Sequence, residues 1–298
     1  MHVLFEPGLF SNSTVRTALI LGALVSVVSG AVGIFTVLRG QSFAGHALTD
    51  VATAGGAGAS LAAVSPLAGF IGGGVIGAGA MDAIGVQRVK DRDVATGVVL
   101  GAATGLSALF LYLITLQTTT TGSTQSILFG SVFTVAPSTL PDALVLGGLV
   151  LVGLVAIRRP LVMSSISAEL AAARGIRLRV VGIAFMVMLA VAVGLSAIVI
   201  GSILSTALLI GPPACALRVA TRFSRALALS CTLGVAATWA GVVFAYDSYY
   251  WLGAGRGLPV SFFVVANVVF EFMVVSLVAR RRAVAPRRDA VPAQVGWV

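Results

Sequence analysis

The sequence predicts an all-α, polytopic helical membrane protein of about eight or nine transmembrane helices, with residues 1–298 forming one domain, and three observations carry that reading. Of 298 residues, 58% are hydrophobic and 10% charged, where ordinary soluble domains are roughly half apolar and a quarter charged. Mean hydropathy is +1.06, and apolar runs of about 20 residues, enough to cross a hydrocarbon core of about 30 Å, recur along nearly the whole length. Short basic clusters separate these runs at intervals, as expected of loops held on one side of a bilayer. No stretch is left for a separate soluble domain.

The first span is expected over Thr17–Leu38, after an N-terminal segment 1–16, and ends at Arg39. Met1–Thr14 contains Glu6 and Pro7 and lacks a basic n-region, so no cleaved signal peptide is expected. A glycine- and alanine-rich second span covers Ser42–Ala63, and a third covers Pro66–Gly85. The charged loop Gln87–Asp93 precedes a fourth span, Val94–Leu116, with Asp93 as the expected N-cap. Ser126–Phe133 is too short to cross and reads as a re-entrant or interfacial piece. A fifth span, Pro141–Ile157, stops at Arg158-Arg159-Pro160, and Ser164–Arg179 then reads as an amphipathic, non-spanning contact helix.

The sixth span starts near Val180 and the seventh ends near Arg218, with no clear boundary around Gly201 and Ser202. Pro212-Pro213 is expected to break or kink the seventh. The eighth runs over Ala226–Tyr246, Asp247–Gly257 reads as an aromatic, polar turn at the membrane interface, and the ninth covers Leu258–Ala279. The tail 280–298 is basic and contains several prolines, so it is expected to be disordered. With nine spans every basic loop falls on one side, which predicts a cytoplasmic C-terminus.

The formal charge of +9 does not indicate nucleic acid, because the basic residues are dispersed among apolar runs. Cys215 and Cys231 lie within apolar segments and read as small packing residues. There is no Gly-x-x-x-x-Gly-Lys-Ser/Thr phosphate loop, no nucleophile elbow and no His-Glu-x-x-His, so the chain is not expected to be an enzyme.

Chemistry concentrates in the second span. His46, the only histidine besides His2, and Asp50 are four residues apart, which on a helix sets both on one face about one turn from each other. From an entry at Ser42 they would lie roughly 6 and 12 Å along the helix axis. Ionisable groups at such depth face a bundle interior or an ion path, or merely pair with each other. A nitrogen and an oxygen donor together suit zinc, manganese or iron better than magnesium or calcium, and Thr49 or a backbone carbonyl could add a ligand. Ligands must be deprotonated, so acidification should weaken metal binding at His46. Glu271, deep in the ninth span, is a further candidate ligand or proton carrier, whereas Asp82 reads as an interfacial acid near Arg88.

Several segments in order resemble the permease subunits of ATP-binding cassette importers for zinc, manganese and iron: Val37-Leu38-Arg39 with Ser42, Gly45, Ala47-Leu48 and Gly55; Arg92-Asp93 with Ala95 and Gly97; Leu128-Phe129-Gly130-Ser131; Glu169–Ile176; and Ser205–Ala214. In that family an aspartate comes first and a histidine follows four residues later; here His46 comes first and Asp50 second, and Ala54 stands where the family has proline. The resemblance implies a permease of a bacterial plasma membrane that pairs with a second copy of itself and has no permanently bound cofactor, its cargo being a divalent metal ion. It also implies a separate ATPase docking at Glu169, Leu170, Ala171, Arg174 and Gly175, and an external metal-binding protein. A proton-coupled secondary transporter and a non-transporting membrane scaffold are the alternatives.

Overall fold

A computed structural model describes residues 12–84, 92–117, 127–130, 132, 133, 135, 138–251 and 257–284. Among them the regular elements are helices: α1 Ser13–Leu38, α2 Ser42–Leu61, α3 Pro66–Ile84, α4 Arg92–Gln117, α5 Thr139–Ile166, α6 Ala168–Ala173, α7 Leu178–Ile200, α8 Ser202–Val219, α9 Phe223–Trp251 and α10 Val260–Val284. Seven are long and apolar enough to cross a membrane on their own, namely α1, α3, α4, α5, α7, α9 and α10. The remaining long helices, α2 and α8, complete the expected number: α2 carries too much glycine and hydroxyl to qualify alone, and α8 is apolar but short. Both are shielded by their neighbours.

The most deeply buried spans are α1 and α7. On one side of them α2 packs tightly on α3 and α4; on the other, α8, α9 and α10 pack on one another, and α5 flanks α1 and α7. Lipid tails are as apolar as leucine, so such helices associate through close packing and interhelical hydrogen bonds. The core shows both. Ser26 of α1 pairs with Thr238 of α9 at 2.8 Å, and Ser29 of α1 with Ser196 of α7 at 2.7 Å, all four side chains being buried. Gly55 of α2 lies against the backbone of Gly69 and Gly73 in α3, where a β-carbon would collide. This lets α2 sit close to α3 and presents its other face to α4 and α8.

Several boundaries differ from those expected. Asn12 caps α1 through its side chain, which accepts from the Thr14 N–H at 2.9 Å, so α1 starts four residues before Thr17 and includes Arg16. Asp93 lies in the first turn of α4 rather than at its N-cap. α5 runs through Pro160 to Ile166 instead of stopping at Ile157. The expected contact helix Ser164–Arg179 is consequently divided. Ser164–Ile166 end α5, Ser167 caps the six-residue α6 by accepting from the Leu170 N–H, Gly175 takes φ +76°, and α7 begins at Leu178.

α8 likewise continues through Pro212 and Pro213 without a break. The Leu209 carbonyl, whose usual donor would be the missing N–H of Pro213, packs against Gly33 of α1. The boundary left open in sequence is Gly201, at φ +98°, a conformation that L side chains rarely adopt. Its backbone is in contact with Phe129 and Gly130, itself at φ +73°, so the short Ile127–Phe129 turn seats on the α7–α8 joint. α9 extends to Trp251, making Asp247 and Ser248 buried helical residues rather than part of a turn. α10 continues five residues past Ala279 to Val284; the remainder of the tail lies outside the described residues.

The basic ends of the helices gather at one end of the bundle. Arg39, after α1, donates to Ser164 of α5 at 2.9 Å and lies over the Phe185 ring of α7. Arg179 of α7 pairs with Asp82 of α3 at 3.4 Å, so Asp82 has this partner; Arg88 lies outside the described residues. Arg218 of α8 donates to Ser276 of α10 at 2.6 Å.

Candidate functional site

α2 carries His46 and Asp50 as expected, both half-buried, but the two are held from different directions. His46 Nδ1 is 3.1 Å from Thr206 Oγ1 of α8. If Thr206 accepts, the proton is fixed on Nδ1 and the Nε2 lone pair is left for a ligand; if Thr206 donates, Nδ1 is consumed and Nε2 carries the proton. Asp50 Oδ2 accepts from Thr104 Oγ1 of α4 at 2.9 Å, leaving Oδ1 for another partner. The Asp50 carbonyl accepts from Ser107 Oγ of the same helix at 3.2 Å. These two bonds clamp α2 to α4 at Asp50, one turn from the contact of His46 with α8.

Thr49, between His46 and Asp50 in sequence, is fully buried, and its hydroxyl donates to the Gly45 carbonyl within α2 at 3.0 Å. Gly45 itself packs against Leu209. Among the described residues no group of three histidine, cysteine, aspartate or glutamate side chains converges to hold a metal ion. His46 and Asp50 thus offer one nitrogen and one oxygen, with further ligands to come from hydroxyls, carbonyls, water or a second chain.

Glu271 stands apart. α10 packs against α9 and α8 and touches α7, and α2 is not among the helices it packs on. Glu271 is half-buried, with a buried Oε2 that has no hydrogen-bond partner among the described residues. The next residue, Phe272, lies beneath the Arg218 guanidinium, 4.3 Å from the ring centroid.

At the basic end, α6 offers a small exposed surface. Glu169, Arg174 and Gly175 are exposed, Leu170 is 64% exposed, and Ala171 is fully buried as the anchor of the turn. An exposed leucine next to an exposed carboxylate on a capped, single-turn helix has the make-up of a contact surface.

The sequence matches the model of the ABC 3 transport family over residues 11–275. The chain belongs to the ABC 3 transport family. Among its relatives, a protein of Listeria innocua named manganese transport system membrane protein MntC is 32% identical over 276 residues, covering 90% of this chain and 92% of the relative. The Listeria monocytogenes protein of the same name is 30% identical over the same extent. The fold is that of a chain in the structure of PsaBC from Streptococcus pneumoniae in complex with Fab, with a TM-score of 0.80 at 24% identity, covering 93% of this chain and 96% of the other. Members of the ABC 3 family are transport permeases, and this chain is accordingly a multi-pass membrane protein.

Reasoning from sequence identified the α2 pair but not Thr206, Thr104 or Ser107. A partial signal existed: Thr104 and Ser107 are one turn apart in a mostly apolar span, and Ser205-Thr206 precedes an apolar run. Their link to His46 and Asp50 depends on contacts between helices 54 to 160 residues apart in sequence, which no local pattern contains.

Proposed function

We propose that this chain is the membrane permease of an ATP-driven importer for a divalent transition metal, manganese first among manganese, iron and zinc, with His46 and Asp50 as protein ligands in the ion path. The observation that carries the reading is the pair itself in an ABC 3 chain: a nitrogen and an oxygen donor one turn apart on α2, half-buried, each supported by a threonine hydroxyl from another helix. The names of the Listeria relatives favour manganese. Thr206 is the positioning residue for His46, and Thr104 for Asp50. The exchanged order of histidine and aspartate leaves both donor types on the same face of α2, so the pair can still bind one ion.

In this reading Glu169 and Leu170 of α6, with Arg174 and Gly175 just after it, receive a separate ATPase subunit on the cytoplasmic side, where the C-terminus also lies, while the buried Ala171 of the expected docking set anchors the turn. An external binding protein delivers the ion at the opposite end, and a second copy of the chain completes the path. The setting is a bacterial plasma membrane. Clustering of arginines at one end supports this orientation.

The test is manganese uptake into vesicles that contain the chain and its ATPase. Uptake should require ATP and should be lost in His46→Ala and Asp50→Ala while ATPase association is retained. Normal uptake by both variants would overturn the site assignment; uptake without the ATPase would favour a secondary transporter.

A further inference from the structure

A cavity of about 890 Å³ opens between α1, α5 and α9 at the basic end of the bundle, within the range of pockets that hold small molecules. Its floor is apolar. Phe35 of α1 and Phe223 of α9 meet with ring centroids 5.3 Å apart and planes tilted by 53°, and Leu227 continues the surface toward the middle of the bundle. Its rim is basic, with Arg158 and Arg159 of α5 and Arg174 after α6. All three are exposed, and among the described residues none has an ion-pair partner. Arg39, nearby, differs in being tied to Ser164 and Phe185.

An apolar groove between transmembrane helices with unpaired guanidiniums at its mouth has two halves of one specificity. Hydrocarbon fits the floor, and a phosphate accepts from the arginine fork more strongly than from a lysine point charge. Neutral apolar ligands would leave the rim unused, and a free anion would leave the floor unused. We propose that this groove binds an anionic phospholipid of the adjoining leaflet, one acyl chain lying along Phe35, Phe223 and Leu227 and the phosphate held by Arg158, Arg159 and Arg174. Since Arg174 also ends α6, headgroup binding would brace the segment assigned above to ATPase docking. Only that last consequence rests on the proposed function; lipid binding itself does not.

The experiment is native mass spectrometry of the full chain released from detergent micelles containing phosphatidylglycerol or phosphatidylcholine with the same acyl chains. Wild type should retain one phosphatidylglycerol in preference to phosphatidylcholine. R158Q/R159Q should lower that affinity by roughly thirtyfold, the scale of attraction expected for two basic residues at an anionic surface, and R158K/R159K should lose less. Leu227→Trp, which fills the floor with the charges intact, should also reduce retention. Equal retention of the two lipids by wild type would overturn the proposal without recourse to any variant. So would displacement of phosphatidylglycerol by millimolar inorganic phosphate, which would mark an anion site with no acyl component, or cross-linking of Val155→Cys between copies in native membranes, which would place a second chain in the groove.

Discussion

His46 and Asp50 sit one turn apart on the same helix, yet their supports belong to different parts of the bundle. Asp50 is bound to α4, a helix of its own group, through the side chain at Thr104 and the main chain at Ser107. His46 reaches across to Thr206 of α8, in the group formed by α8, α9 and α10. One residue is thus fixed within a group of helices, while the other spans the contact between two groups. The contrast teaches that the pair is not a self-contained ion pair: each residue has its own hydroxyl partner. An ion bound by both would hold α2 and its group against α8, and any movement between the groups would alter the His46 side first.

The largest effect that can break this comparison is loss of either ligand. His46→Ala and Asp50→Ala should each reduce manganese uptake by more than the roughly 10–100-fold that removal of a supporting partner costs. Removing the supports separates the two sides. Thr206→Val should weaken apparent metal affinity by about tenfold, with Thr206→Ser close to wild type, because the hydroxyl sets which imidazole nitrogen is free. Thr104→Val should cost less, about threefold, since the Ser107 hydrogen bond to the Asp50 carbonyl still clamps α2 to α4. Titrating uptake against metal concentration checks this order; a Thr104 effect exceeding that of Thr206 would reverse the roles assigned here. The smallest effect is expected at Glu271→Gln, within about twofold of wild type, a change of a few tenths of a kcal/mol. A severe loss there would bring α10 into the ion path and revive the proton-carrier alternative.

Much of this was legible in sequence because apolar runs and arginines report directly on the bilayer. The pair in α2 was visible as well, since a helix converts a spacing of four into a shared face whatever surrounds it. The errors occurred where tertiary packing overrides a local rule. Pro160 read as a helix end and Pro212-Pro213 as a break or kink, yet both helices run through, α8 with its Leu209 carbonyl packed on Gly33. Conversely Gly201, inconspicuous among 35 glycines, marks the sharp α7–α8 joint because the Ile127–Phe129 turn and Gly130 occupy the space beside it. Thr206 and Thr104 were missed because hydroxyls are common in membrane helices, and only the fold shows which ones face the pair.

The most direct test of the central claim is binding of manganese to the purified chain, followed by the loss of the electron paramagnetic resonance signal of the free ion. Wild type should remove the ion from solution saturably, zinc or iron should compete for the same site, and His46→Ala and Asp50→Ala should each abolish the binding. Undiminished binding in both single variants would show that the metal is held elsewhere and that the α2 pair is only structural.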